Sequence, residues 1–541
     1  MLTSVTGQCT LAALPVRNVG RYLRRTMKST LDSLRATLTR IHDSLCTAEQ
    51  RWQSVIEEVH ARQRLSAANL MHYLALRCED LRDIQDDLHN AGLSSLASSE
   101  SHALRQVQCT LLRLGAEIPE SALSPCDYPT ASRLIRQRAE TLFGPKVNPH
   151  IPHLMVTFSS GLANDYASVK ALVLAGMNVA RINCAHDDPE TWLRMVANIR
   201  RATRATGRAC KIHIDLAGPK IRTTLLGKGR KKERMNVVEG ERFLLAEADV
   251  EIDKKNKVVG CTLPGVVKDL RKGDRVLFDD GLYEAVVEKP GTTVAQLFLL
   301  RAAAPKPRIK PEKGINFPDT EISVYSLTEF DKSVIPFALE HADLVGFSFV
   351  RHPEDLAELQ RLLRRNDGIA LPIILKIETY EAVQNLPALL LQGMQSQAFG
   401  VMIARGDLAV EIGFERLSEI QEEILWICEA AHVPVVWATQ VLESQNKSGI
   451  ATRSEVTDAA RAAHAECVML NKGKYLLEVL ASLRDILHRS GGHHLKKRYV
   501  FRPLAIAERF LRHEPQVAKG TRSAVNSSES RRRSRQKSGI R

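Results

Sequence analysis

The sequence predicts an α/β protein: a closed (β/α)8 barrel of the TIM type, with an inserted small β-barrel lid domain and an N-terminal helical region. Three observations lead there. From about residue 150 onward, eight short apolar or β-branched runs alternate with helical stretches, the pattern of parallel strands joined by crossover helices. One connection, 217–342, is too long for a single helix and contains short alternating runs with tight turns. Before residue 150 the periodicity is helical and no chemical motif occurs.

Taken in order, residues 1–31 contain Arg17, Arg21, Arg24, Arg25 and Lys28 and no Asp or Glu. A basic, poorly structured N-terminus is expected over 1–30, although the same composition suits an organellar transit peptide. Residues 31–148 read as helices: Leu31, Leu34, Leu38 and Ile41 fall at helical spacing, as do Leu70, Leu74 and Leu81. This region is expected to form a separate bundle or a helical arm. The barrel is expected over 149–222 and 310–490, with strands within 153–159, 178–184, 210–216, 343–350, 372–378, 399–407, 434–440 and 467–471. The β insert is expected over 223–309.

Composition narrows the function classes. Of a net charge of +14, residues 491–541 supply +11, with 14 Lys/Arg against 3 Asp/Glu, so the rest of the 541-residue chain is near neutral. The last stretch, "SSESRRRSRQKSGIR", reads as a solvated, disordered basic tail, and nucleic acid is not an expected partner beyond weak contacts there. No apolar run of eighteen residues occurs, so no membrane helix is expected. Ten scattered cysteines without a C-x-x-C pair suit a reducing compartment, and the cytoplasm is the expected location.

In such a barrel the active-site face is formed by the loops after the strands. Those strand ends supply Arg181, Asn183, Asp215, Ser348, Arg351, Lys376, Glu378, Arg405, Asp407, Thr439, Gln440 and Asn471. Glu378 and Asp407 end adjacent strands, where two hard carboxylates can share a magnesium or manganese ion and leave positions for substrate oxygens. Alternatively, each carboxylate pairs with a neighbouring cation. Lys376 shares a face with Glu378 because they are two residues apart, and a fixed cation there suits a phosphoryl group or a developing enolate. Arg181, Arg222 and Lys313 add positive charge at the same mouth, pointing to a phosphorylated substrate.

The motifs "GMNVARIN" (176–183), "DLAGPKIRT" (215–223), "DDGL" (279–282), "KGINFP" (313–318), "LKIET" (375–379), "VMIARGDLAVEI" (401–412), "ATQVLES" (438–444) and "TRSEVTDAARA" (452–462) together resemble pyruvate kinase, in order, from about 153 to 485. The resemblance implies phosphoryl transfer from phosphoenolpyruvate to ADP, giving pyruvate and ATP in the last step of glycolysis. It implies Glu378 and Asp407 as ligands of Mg2+ or Mn2+, and Lys376, Thr439 and Arg181 as catalytic. On the nucleotide and transferred-phosphate side it implies Arg222, Lys313, Asn183 and, more weakly, His186. Ala404, Gly406, Asp407 and Thr439 would bind substrate, the β insert would close as a lid, and a homo-oligomer is expected.

Three departures from the family qualify this. The monovalent-cation region, Asn183, Asp215 and Lys220, has Ala185 where relatives carry a hydroxyl. Lys220 stands in "GPKIR" where potassium-dependent relatives have glutamate, so potassium is expected not to be required. The loop after the last strand, "VMLNKGKY" (468–475), is four or five residues shorter than usual, and the first strand end, "TFSSGLAND", keeps Thr157 but not the family's proline. Only the basic tail follows residue 490, so effector control through the family's C-terminal domain is expected to be absent. Two alternatives stay open: a binding or regulatory protein that has lost turnover, and another metal-dependent barrel enzyme acting on phosphoenolpyruvate or pyruvate.

Overall fold

The structure, a computed structural model, describes residues 16–225, 234–248, 250, 256–322, 325–364, 370–491, 494–495 and 498–499. The first half of the basic N-terminus and nearly all of the basic tail expected from the sequence lie outside these residues.

The N-terminal helices are α1 (Val16–Arg51), α2 (Gln53–Glu58), α3 (Arg64–Leu76), α4 (Arg82–Asn90), α5 (Ala103–Arg113) and α6 (Tyr128–Phe143). Helix α1 begins inside the stretch expected to be unstructured. Leu34, Leu38, Ile41 and Leu45 form its buried stripe, spaced three or four residues apart as one face of a helix requires. That stripe belongs to the same buried cluster as Leu70, Leu104 and the barrel's helical layer, so these helices share a core with the barrel. Helix α6 starts at an Asp127 N-cap with proline in its first turn. Its Leu142 and Phe143 pack with Met155, Val179, Leu344, Ile374, Met402 and Val436 from six barrel strands.

The barrel strands are β1 (His153–Thr157), β2 (Val179–Asn183) and β3 (Lys211–Asp215), followed after the insert by β13 (Leu344–Phe347), β14 (Ile373–Ile377), β15 (Phe399–Ala404), β16 (Val435–Ala438) and β17 (Cys467–Leu470). They close in the order β1-β17-β16-β15-β14-β13-β3-β2. All eight lie within the expected segments. Full burial on both faces explains their continuous apolar runs. The crossover helices carry legible signals: α8 (Pro189–Thr206) has an Asp188 N-cap and a left-handed Gly207 at its end.

The segment 399–407 divides, however. Strand β15 stops at Ala404, and Arg405–Ile412 forms helix α13, placing Asp407 in a helical first turn.

The insert contains β4 (Thr223–Leu225), β5 (Met235–Asn236), β6 (Arg242–Glu247), β7 (Val258–Cys261), β8 (Arg275–Phe278), β9 (Tyr283–Lys289), β10 (Val294–Ala302) and β11 (Arg308–Ile309). Strand β12 (Ile315–Asn316) lies beyond 309 yet pairs with β8, so the barrel-like sheet takes its last strand from the return connection. Phe243, Phe278, Tyr283 and Leu297 lie in a core cluster of the insert itself. Backbone hydrogen bonds between Thr223 and Lys313 and between Ile221 and Ile315 join the insert's two connecting strands. Among the described residues, no helix is long and apolar enough to cross a membrane.

Candidate active site

At the C-terminal ends of β2 and β3, Arg181 and Asp215 form a buried ion pair. Arg181 Nε lies 3.0 Å from Asp215 Oδ2, and its Nη1 donates to Thr157 Oγ1 at 3.0 Å. Burial pushes Asp215 upward, but Arg181 and Lys376 outweigh it and hold the carboxyl well below its usual range.

Lys376 sits two strands beyond Asp215, on β14, with β13 between them. Its Nζ lies 2.6 Å from Ser348 Oγ, 3.1 Å from Glu378 Oε1 and 3.5 Å from Asp215 Oδ2. Ser348 donates its own proton to the Leu216 carbonyl at 2.6 Å, so its oxygen is free to accept from the lysine. Burial lowers Lys376, yet Asp215 and Glu378 more than compensate and keep the ammonium charged. Glu378 Oε2 accepts the Phe349 amide at 2.7 Å, and Phe349 holds a φ of 54°. Left-handed backbone at a bulky residue is costly, and such strain concentrates at functional sites.

Helix α13 supplies the other side. The Thr439 hydroxyl accepts the Gly406 amide at 3.0 Å, and Thr439 and Gln440 hold φ of 62° and 55°. Arg405 explains why a buried strand ends in opposite charges. It turns back to donate from Nε to the Ala438 carbonyl at 2.9 Å, pairs with Asp458, and stacks 4.7 Å from the Trp437 ring centre. Asp407 is left for Lys220, whose Nζ lies 2.8 and 3.1 Å from its two oxygens.

A cavity of about 260 Å³ opens beside Arg181, lined also by Asn183, His186, Lys447, Asn471 and Lys472. Burial, Lys472 and Arg222 depress His186, in that order. The short loop after β17 is tied to Asn446, which donates to the Asn471 carbonyl at 2.7 Å and accepts the Lys474 and Tyr475 amides.

Arg181, Asp215, Lys376 and Glu378 therefore form one network, and Ala404, Gly406, Asp407 and Thr439 adjoin one another. Arg222 and Lys313 stand apart at the insert's base, on the Glu312 carbonyl and on Asp279, at 3.0 and 2.7 Å. In the monovalent-cation region Asn183 and Asp215 are register partners on adjacent strands, but each residue is already engaged: Asn183 accepts the Ala185 amide, Asp215 pairs with Arg181, and Lys220 with Asp407.

Sequence reasoning missed Lys447 and Lys472, which carry no local signal beyond a basic residue near a strand end. It also missed Glu411, which accepts from Asn316 Nδ2 at 2.7 Å across the junction of barrel and insert.

The donor set at Glu378 and Asp407 fits a divalent cation. Both are hard carboxylates from adjacent β–α units; burial first and then Asp407 raise Glu378 against the opposing pull of Lys376, so a positive ion between the two carboxylates would relieve their mutual repulsion. Among the described residues no cluster of three or more His, Cys, Asp or Glu could hold a metal, so water or substrate oxygens would complete the shell.

The family description "Pyruvate kinase, barrel domain" matches residues 143–478. The chain belongs to the pyruvate kinase family. The pyruvate kinase of Geobacillus stearothermophilus is 34% identical over 330 residues, covering 59% of this chain and 53% of that protein. That of Thermotoga maritima is 34% identical, covering 60% and 67%, and that of Clostridium perfringens 30%, covering 64% and 72%. The chain thus spans about half the length of the Geobacillus pyruvate kinase.

Proposed function

We propose that this protein transfers the phosphoryl group of phosphoenolpyruvate to ADP, forming pyruvate and ATP, with a divalent cation and without potassium. The observation that carries the reading is the buried Arg181–Asp215–Lys376–Glu378 network beside Asp407, a fixed arrangement of buried charge. Preorganised charge of this kind is what phosphoryl transfer chiefly needs.

Arg181 reaches the cavity from β2 and orients the transferred phosphoryl group. The Lys376 ammonium, held by Ser348, Asp215 and Glu378, stabilises the negative charge that passes from phosphoryl group to enolate oxygen. A magnesium or manganese ion held by Glu378 and Asp407 would neutralise the same oxygens and keep substrate in register. Thr439 accepts a hydrogen bond from the Gly406 amide, which leaves its hydroxyl hydrogen free to orient a water; a proton from solvent passes along this water to the methylene carbon of the enolate, and the hydroxyl is unchanged at the end. Arg222, Lys313, Asn183 and His186 serve the nucleotide side, with the β insert closing as a lid. Potassium independence rests on Lys220, a resident cation beside Asp407.

The test is pyruvate formation from phosphoenolpyruvate and ADP with magnesium in sodium- and potassium-free buffer, with Asp407→Ala as control. Metal-dependent turnover supports the reading. Phosphoenolpyruvate binding without product would instead favour a binding protein.

A further inference from the structure

A second cavity, of about 780 Å³, lies among the N-terminal helices, walled by α1, α2, α3, α5 and the segment before α6. Its volume suits a small organic ligand. Ile56, Leu65, Leu104, Ile118 and Leu123 give it an apolar wall.

The polar groups converge on one side. His72 is 3% exposed, its Nε2 lies 2.8 Å from Glu49 Oε2, and its Nδ1 has no partner. In the neutral ring that donates from Nε2 to this carboxylate, Nδ1 is a buried acceptor lacking a donor. The lining is also acidic. It carries the carboxylates of Glu49, Glu57 and Glu117 and one guanidinium, Arg64, which is bound to the Glu57 backbone carbonyl at 3.0 Å. The His72 hydrogen bond lowers Glu49 despite its partial burial, so this carboxylate carries its charge near neutrality.

We propose that this cavity binds a small amphipathic amine, whose ring lies on the apolar wall and whose N–H groups bond His72 Nδ1 and offset the Glu49 charge. Anionic ligands such as sugar phosphates are disfavoured by the three carboxylates. The site shares no residue with the strand-end cavity and stands independently of the catalytic reading.

The experiment compares tryptamine with indole-3-acetate, which share a ring system and differ in charge, by calorimetric titration of the full chain. Tryptamine is expected to bind at least about ten-fold more tightly. His72→Phe, or Glu49→Gln if that variant does not fold, is expected to weaken tryptamine about ten-fold. Ala68→Trp, on the cavity wall, is expected to abolish it. Failure of tryptamine to bind, equal binding of indole-3-acetate, or tryptamine affinity unchanged in the folded variants would each overturn the proposal.

Discussion

Lys220 Nζ lies 2.8 Å and 3.1 Å from the two carboxylate oxygens of Asp407, joining the loop after the third barrel strand to the first turn of α13. The pair brings a permanent cation to the edge of the proposed metal site. Replacing Lys220 by glutamate places two like charges there. Turnover of Lys220→Glu in potassium-free buffer is expected to fall about 100-fold or more, with partial recovery on adding potassium. Full activity of this variant without potassium would remove the internal-cation reading.

Lys376 has three partners and no slack. Lys376→Met keeps the length of the side chain and removes the charge. Its kcat is expected to fall about 10²–10³-fold with little change in the KM for ADP, measured by coupled pyruvate assay. A loss confined to KM would mean that the lysine only binds substrate.

Manganese gives a readout independent of turnover. Glu378→Gln keeps the hydrogen bond from the Phe349 amide possible but removes the charge, and Mn2+ affinity by electron paramagnetic resonance is expected to drop about ten-fold or more. Unchanged affinity would place the ion elsewhere.

Burial raises Glu411 to about 7 against an ordinary 4.5, with Glu381 and Asp407 adding to the shift and Asn316 opposing it. The folded protein therefore holds this proton more tightly than the unfolded chain. Its contribution to stability is complete below pH 4.5 and is lost as pH rises through 7. The change from 4.5 to about 7 corresponds to at most about 3 kcal/mol. Thermal melts of the native protein are expected to lose stability from about pH 5 to pH 7 relative to Glu411→Gln, on the order of a few degrees. Parallel curves would show that Glu411 does not titrate there.

Asn69 ties the N-terminal helices to the barrel. It donates to the Glu100 and Ala430 carbonyls, each at 2.8 Å, and accepts the Ala103 amide at 2.9 Å. Asn69→Leu strands these buried backbone groups and is expected to cost about 3–5 kcal/mol, read as a lower midpoint in urea. A change below about 1 kcal/mol would mean that the junction contributes little to stability.

Much of the fold was legible. The eight strands could be found from residue type alone because parallel strands buried on both faces must be apolar throughout, and the insert from its alternation and turns. The end of β15 was not, because "ARGDLAVEI" continues the apolar texture across the change from strand to helix. Its end is set by Arg405 reaching back to the Ala438 carbonyl from a neighbouring strand. Nor could helical periodicity show whether 31–148 stands alone. A buried stripe specifies that a face is covered and says nothing about what covers it.

The sequence by itself determined the strand order's raw material, the charged strand ends and the motifs of the pyruvate kinase family, since all of these are properties of residues in series. Only the tertiary structure decided which charges meet. Lys220 and Asp407 are far apart in the chain, and so are Arg181, Lys376 and their shared partner Asp215. An ion pair forms where closure of the barrel brings two strand ends within a few ångströms and excludes water. That separation is a property of the closed sheet, and neither residue carries it alone.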